Sequence, residues 1–247
     1  MKRIPAVTRL HFATGFGTFV LPAIIIGGIL VVNILLWLVL RLAVSPGDYA
    51  DVNDGVQYSG ASFYIFVQMM IFAVQSIATT FPFAQGYGVT RRSYWTGTAL
   101  AYVILSVFWA AVLTVLGGIE ELTGGWGLHG TMFTAVYFGE GPWWSRFAVF
   151  FPLMVFSFFV GSMFAAIFVR WRATGLVTSF LAILLVLVGA IALVIVTRTG
   201  DALYRVIFFA PLPGGGNSGL EWLWVLPVAA LAALIGFLVL RRATARS

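Results

Sequence analysis

Apolar residues in this chain come in long, nearly unbroken runs separated by short polar breaks. Six runs stand out, at residues 16–40, 61–83, 94–116, 144–169, 175–196 and 222–240. Crossing roughly 30 Å of hydrocarbon at about 1.5 Å per residue takes about 20 residues in a helix. Each run meets that length. Lipid offers a backbone no hydrogen-bond partner, so a run that crosses it must be helical. The pattern predicts an all-α polytopic membrane protein with six transmembrane helices in one domain, 1–247. Residues 1–15 form an N-terminal segment, and the long first run argues against a cleaved signal peptide.

The breaks between the runs differ in charge. With six crossings, the side holding the N-terminus receives Lys2, Arg3, Arg9, Arg91, Arg92, Arg170, Arg172, Arg241, Arg242 and Arg246. The other side receives Arg41, Arg146, Arg198 and Arg205, together with Asp48, Asp51, Asp54, Glu120, Glu121, Glu140, Asp201 and Glu221, which are all the acids in the chain. Basic loops stay in the cytoplasm. Both termini are therefore expected there, with the chain in the plasma membrane of a bacterial cell. A different helix count would scramble this segregation.

Composition agrees. The chain is 61% hydrophobic and only 9% charged, against about 25% charged in an ordinary soluble domain. The net charge of +6 sits in short groups at the ends of apolar runs. That arrangement fits anionic lipid at a membrane edge and argues against nucleic acid as a partner. There is no cysteine, so disulfides and thiolate metal sites are excluded.

Two breaks are short, 84–93 and 170–174. The outer segments 43–60, 117–142 and 197–221 are longer and richer in Gly, Pro and Trp, and the last holds Pro211, Pro213 and a run of glycines from Gly214 to Gly216. The stretch 81–96 reads FPFAQGYGVTRRSYWT. Gly86 and Gly88 loosen the backbone, and Arg91 and Arg92 stand just before Tyr94 and Trp95 at the next apolar run. This predicts a tight turn or a short helix at the membrane surface. Its arginines serve either as the ordinary basic content of a cytoplasmic loop or as a contact for lipid phosphate or an acidic partner.

The segment Gly88, Val89, Thr90, Arg91, Arg92, Ser93, Tyr94 resembles a Gly-x-[Ser/Thr]-Arg-Arg-x-[Tyr/Phe] pattern of ABC-2-type permeases, the membrane subunits of ABC exporters. Its place between the second and third spans is similar too. The resemblance implies an ABC-2 (type V exporter-like) permease fold, with 84–93 as the coupling loop that docks on a separate ATPase. The candidate coupling residues are Gln85, Gly86, Gly88, Val89, Thr90, Arg91, Arg92 and Tyr94. It further implies two copies of an ABC ATPase subunit, with ATP and Mg bound there, and a second permease subunit as homo- or heterodimer. The translocation path would then run along spans one, two and five, and the N-terminal segment would lie flat at the membrane surface. The outer loops here are modest where many family members carry a large external domain.

Read from the residues alone, the N-terminal segment is either a disordered basic leader or an interfacial helix, since Ile4, Val7 and Leu10 keep only a partial period. Polar residues inside the runs are few: Asn33, Gln68, Gln75 and Ser76. Gln68 and Gln75 are two turns apart and share a face. They line a translocation path or hydrogen-bond between helices. Gly27 and Gly28, Gly161 and Ser162, and Gly189 and Ala190 read as close-packing positions, and the phenylalanines of the fourth run as packing side chains.

Catalytic signatures are scarce. Lys2 is the only lysine and no phosphate-binding loop occurs, so this chain carries no ATPase of its own and is no enzyme. His11 and His129, the only histidines, lie outside the runs without the spacing of a metal site. No Asp, Glu or Lys lies within a run, which disfavours coupling to an ion gradient. The expected function is a permease for an apolar or amphipathic substrate such as a drug, peptide or lipid. The alternatives are a non-transport assembly or sensor protein, and a membrane enzyme on lipid-linked substrates using outer acids such as Asp51 or Glu120.

Overall fold

A computed structural model of the chain describes residues 3–13, 15–45, 49, 55–56, 59–135, 138, 141–200 and 220–243. Lys2, Asp48, Asp51, Asp54, Glu140, Asp201, Arg205, Arg246 and the run from Pro211 to Gly216 lie outside the described residues. So do the side chains of Arg3 and Glu221.

Among the described residues the structure is helical, without strands. The helices are α1 (Arg3–Phe12), α2 (Leu21–Ala43, entered through a π-helical turn, Phe16–Val20), α3 (Phe63–Gly86), α4 (Arg91–Leu122), α5 (Trp143–Thr197) and α6 (Val225–Arg241, entered through a 3-10 turn, Leu220–Trp224). Five of these elements, all but α1, are long and apolar enough to cross a membrane.

The expected six crossings appear as five because α5 runs through 55 residues. A straight helix of that length would reach about 80 Å, far beyond a bilayer core of about 30 Å. It is not straight. Arg172, inside the loop expected at 170–174, has φ 58° and ψ −149°, outside helical geometry. Phe164 stacks on Phe180 with ring centroids 4.9 Å apart. Sixteen residues of straight helix would separate them by about 24 Å. The chain therefore doubles back at Arg172, with one residue doing the work of the expected loop.

Helix ends move as well. The loop expected at 84–93 shrinks to a four-residue turn, because α3 continues to Gly86 and α4 begins at Arg91. At its far end α4 continues to Leu122 and carries Glu120 and Glu121, which the sequence placed in a loop.

Lipid is as apolar as Leu, so close approach and van der Waals fit hold such a bundle together. The first half of α5 is its centre, with Val149, Phe150, Met154, Phe158, Ala165 and Ala166 fully buried. Gly161 lets α5 cross α3, and a side chain there would run into the main-chain oxygen of Met70. Gly236 does the same for α6 against Trp95 and Met163. Gly27, Gly28 and Gly189, expected at packing sites, have no neighbour from another element within contact distance among the described residues. Past Arg172 the second half of α5 is exposed along nearly its whole length, as are most apolar residues of α2.

Candidate functional site

The bundle has two ends of different character. One, the basic end, gathers α1, the turn between α3 and α4, the Arg172 reversal and the last turn of α6. Three contacts fix this: Gly97 against Val7, Arg91 against Arg241, and Gly236 against Trp95 and Met163.

The turn, Tyr87 to Thr90, is rigid and exposed. Gly88 takes φ 68°, where L side chains are strained and glycine is not. Its N–H donates to the Gln85 main-chain oxygen at 2.9 Å, and the Gln85 side chain donates to the Val89 oxygen at 2.9 Å. Thr90 caps α4, its hydroxyl accepting from the Ser93 N–H at 3.2 Å. Tyr87, 74% exposed, projects outward, its ring tilted against that of Phe83 with centroids 4.8 Å apart. Gly86, Gly88, Thr90 and Arg92 are exposed beside it, with Gln85 and Val89 half-buried.

The two arginines part company. Two cations in a helix's first turn sit at the positive end of its dipole, which is unfavourable. Arg91 escapes by donating to the Arg241 main-chain oxygen at 2.6 Å, at the negative end of α6. Arg92 points outward, with no ion-pair partner among the described residues. Tyr94, expected in the coupling group, is fully buried.

Behind the turn lies a polar cluster that the sequence reading missed. The N-terminal segment is a helix, docked against α3 and α4 through Ile4, Val7, Thr8 and His11. The spacing i, i+3, i+4, i+7 was the available signal. It was hidden because two of the four positions are polar. Gly97 makes room, since a Cβ there would come within 2.7 Å of the Val7 Cβ. Thr8 donates to the Gly97 oxygen at 3.0 Å. His11, 2% exposed, bridges two helices: Nδ1 lies 2.7 Å from the Ser76 hydroxyl of α3, and Nε2 lies 2.8 Å from the Thr98 hydroxyl of α4. Burial lowers its pKa from 6.5 to about 4, so the ring is neutral at physiological pH. Tyr102 packs 5.3 Å and Tyr94 6.2 Å from the imidazole, and the Tyr94 hydroxyl lies 2.6 Å from that of Thr80.

The other residues expected on a path are scattered. Ser76 is buried in the His11 bridge. Asn33 donates to its own helix at Ile29, 2.9 Å. Gln68 accepts from the Tyr64 hydroxyl at 3.0 Å, and Gln75 is exposed. No described cavity brings these four together. An open groove of about 540 Å³ runs instead along the second half of α5, lined by Trp171, Thr174, Gly175, Thr178, Ser179 and Ala182.

The opposite end is closed by the segment after α4. Met132, Phe133, Ala135 and Phe138 are fully buried, with Phe138 against Phe63, Phe66 and Phe150. Glu120, 1% exposed, holds the segment. Its carboxylate accepts from the N–H groups of Met132, Phe133 and Thr134, the Thr134 hydroxyl and the Trp126 indole. Beside it Glu121 pairs with Arg146 through two hydrogen bonds. A carboxylate so fully engaged has little left for chemistry on a substrate. No cluster of metal-ligating side chains occurs among the described residues.

The chain matches no family model, no curated protein and no solved structure.

Proposed function

We propose that this chain is the membrane-spanning subunit of an ATP-driven exporter of the ABC-2 type, with the turn from Tyr87 to Thr90 and Arg92 as the contact for a separate ATPase. The observation that carries the reading is the turn itself. It is stiffened by its own hydrogen bonds, joins two long apolar helices directly, and presents an aromatic ring and a cation outward. A push on such a knob passes into α3 and α4 without loss in a slack loop.

The basic end is then cytoplasmic. The reversal at Arg172 supports six crossings, because each half of α5 is long enough to span alone. Two permease copies would meet along α2 and the second half of α5, whose exposed faces carry Gly27, Gly28 and Gly189 without neighbours from other elements among the described residues. Export through their interface suits an apolar or amphipathic substrate, and conformational exchange between inward- and outward-facing states follows ATPase closure.

The test is co-purification. A complex with a Walker-motif ATPase, lost on Arg92→Glu while membrane insertion persists, supports the reading. Purification of the intact chain with no ATPase overturns it in favour of an assembly or sensor protein.

A further inference from the structure

We infer that His11 is a positioning residue that locks α1 across α3 and α4, so that α1 and the exposed turn move as one body. The inference rests on the turn being the coupling element and adds a second moving part to it.

The geometry carries it. One imidazole reaches a hydroxyl on each of the two helices that the turn connects, at 2.7 and 2.8 Å. Neutral imidazole offers one donor and one acceptor, so it satisfies one hydroxyl as acceptor and the other as donor. Thr8 also donates to the Gly97 oxygen, and Thr18 donates to the main-chain oxygen of His11 at 3.2 Å. Val7, Thr8 and His11 are all buried. A helix lying loosely on a membrane surface would keep this imidazole wet. Pro5, Ala6 and Arg9 face outward, so a locked α1 presents a further cation that travels with the turn.

The bundle has a fallback when His11 is removed. Ser106, Thr114, Ser157 and Ser162 each donate to the carbonyl four residues earlier in their own helices. Ser76 and Thr98 can turn to do the same, leaving no stranded hydroxyl. His11→Ala therefore breaks the link between helices and spares the helices.

The chain has no cysteine, so a spin-label pair at Ala6→Cys and Tyr87→Cys reports the α1-to-turn distance without background. We expect one narrow distance distribution in the otherwise wild-type chain and a broad one with His11→Ala. Amide exchange across residues 3–12 should quicken on the order of tens-fold for two lost hydrogen bonds, with His11→Gln falling between. Ser76→Ala with Thr98→Val should reproduce the effect should His11→Ala express poorly. Distances and exchange unchanged in these variants overturn the lock. ATP hydrolysis by the co-purified complex at the wild-type rate, despite a released α1, overturns its role in coupling. The label distances are read on this chain alone, so they decide the lock even where no ATPase binds and the transport reading falls.

Discussion

The guanidinium of Arg91 donates to the main-chain oxygen of Arg241 at 2.6 Å. This ties the first turn of α4 to the last turn of α6. Among the described residues the neighbouring Arg92 makes no such tie, and the pair should therefore separate under mutation. Arg91→Ala should cost about 1 kcal/mol of stability, the value of one charge-assisted bond at a half-exposed site. Arg92→Glu should leave thermal unfolding in detergent unchanged within error and abolish ATPase stimulation. Equal effects of both variants on both readouts would contradict the division.

How far this site was legible in the sequence depends on which force shaped it. The long apolar helices were visible because the bilayer imposes length and composition directly. The turn was visible because Gly88 and paired arginines between two such runs leave few other conformations. His11 and Glu120 were not. Each lies just outside an apolar run and is buried by tertiary contacts. His11 depends on Ser76 and Thr98, 65 and 87 residues away, and Glu120 on a segment that folds back over α4. The reversal at Arg172 was expected as a loop of five residues. A single residue suffices because Gly175 lets the returning helix pass close to Trp171.

Lower pH should release α1. The pKa of docked His11 is about 4, whereas an undocked histidine titrates near 6.5. Above pH 6.5 both states are neutral and docking has its full strength. Between 6.5 and about 4 only the released helix takes up the proton, so docking weakens as pH falls, by about 3 kcal/mol in total. Below about 4 the loss levels off. Amide exchange of residues 3–12 at pH 7.5 and 5.5, corrected for intrinsic rates, should show the difference, and His11→Gln should remove it.

Glu120 predicts a large local effect at the other end. Glu120→Ala strands three main-chain N–H groups and the Trp126 indole, and should cost about 3 kcal/mol or more. The damage should centre on residues 123–135. A cysteine placed at Ala135, fully buried in the wild-type chain, should become reactive to a membrane-impermeant maleimide only in this background. Continued protection would mean that the aromatic packing of Phe138 holds the segment unaided.

Arg172→Gly should stabilise the protein, which few glycine substitutions in a helical chain do. Arg172 sits at φ 58° and ψ −149°, a region that side chains avoid and glycine tolerates, with a strain of about 1–3 kcal/mol. Glycine removes that strain and costs about 0.5–1 kcal/mol through a more disordered unfolded chain. The net gain should be about 1 kcal/mol, seen as a raised thermal midpoint in detergent. Arg170 stays in place over Trp171, so a positive charge remains at the reversal and topology should not change. A lowered midpoint would mean that the guanidinium of Arg172 is itself anchored, and that the reversal is held by the side chain as well as by the backbone.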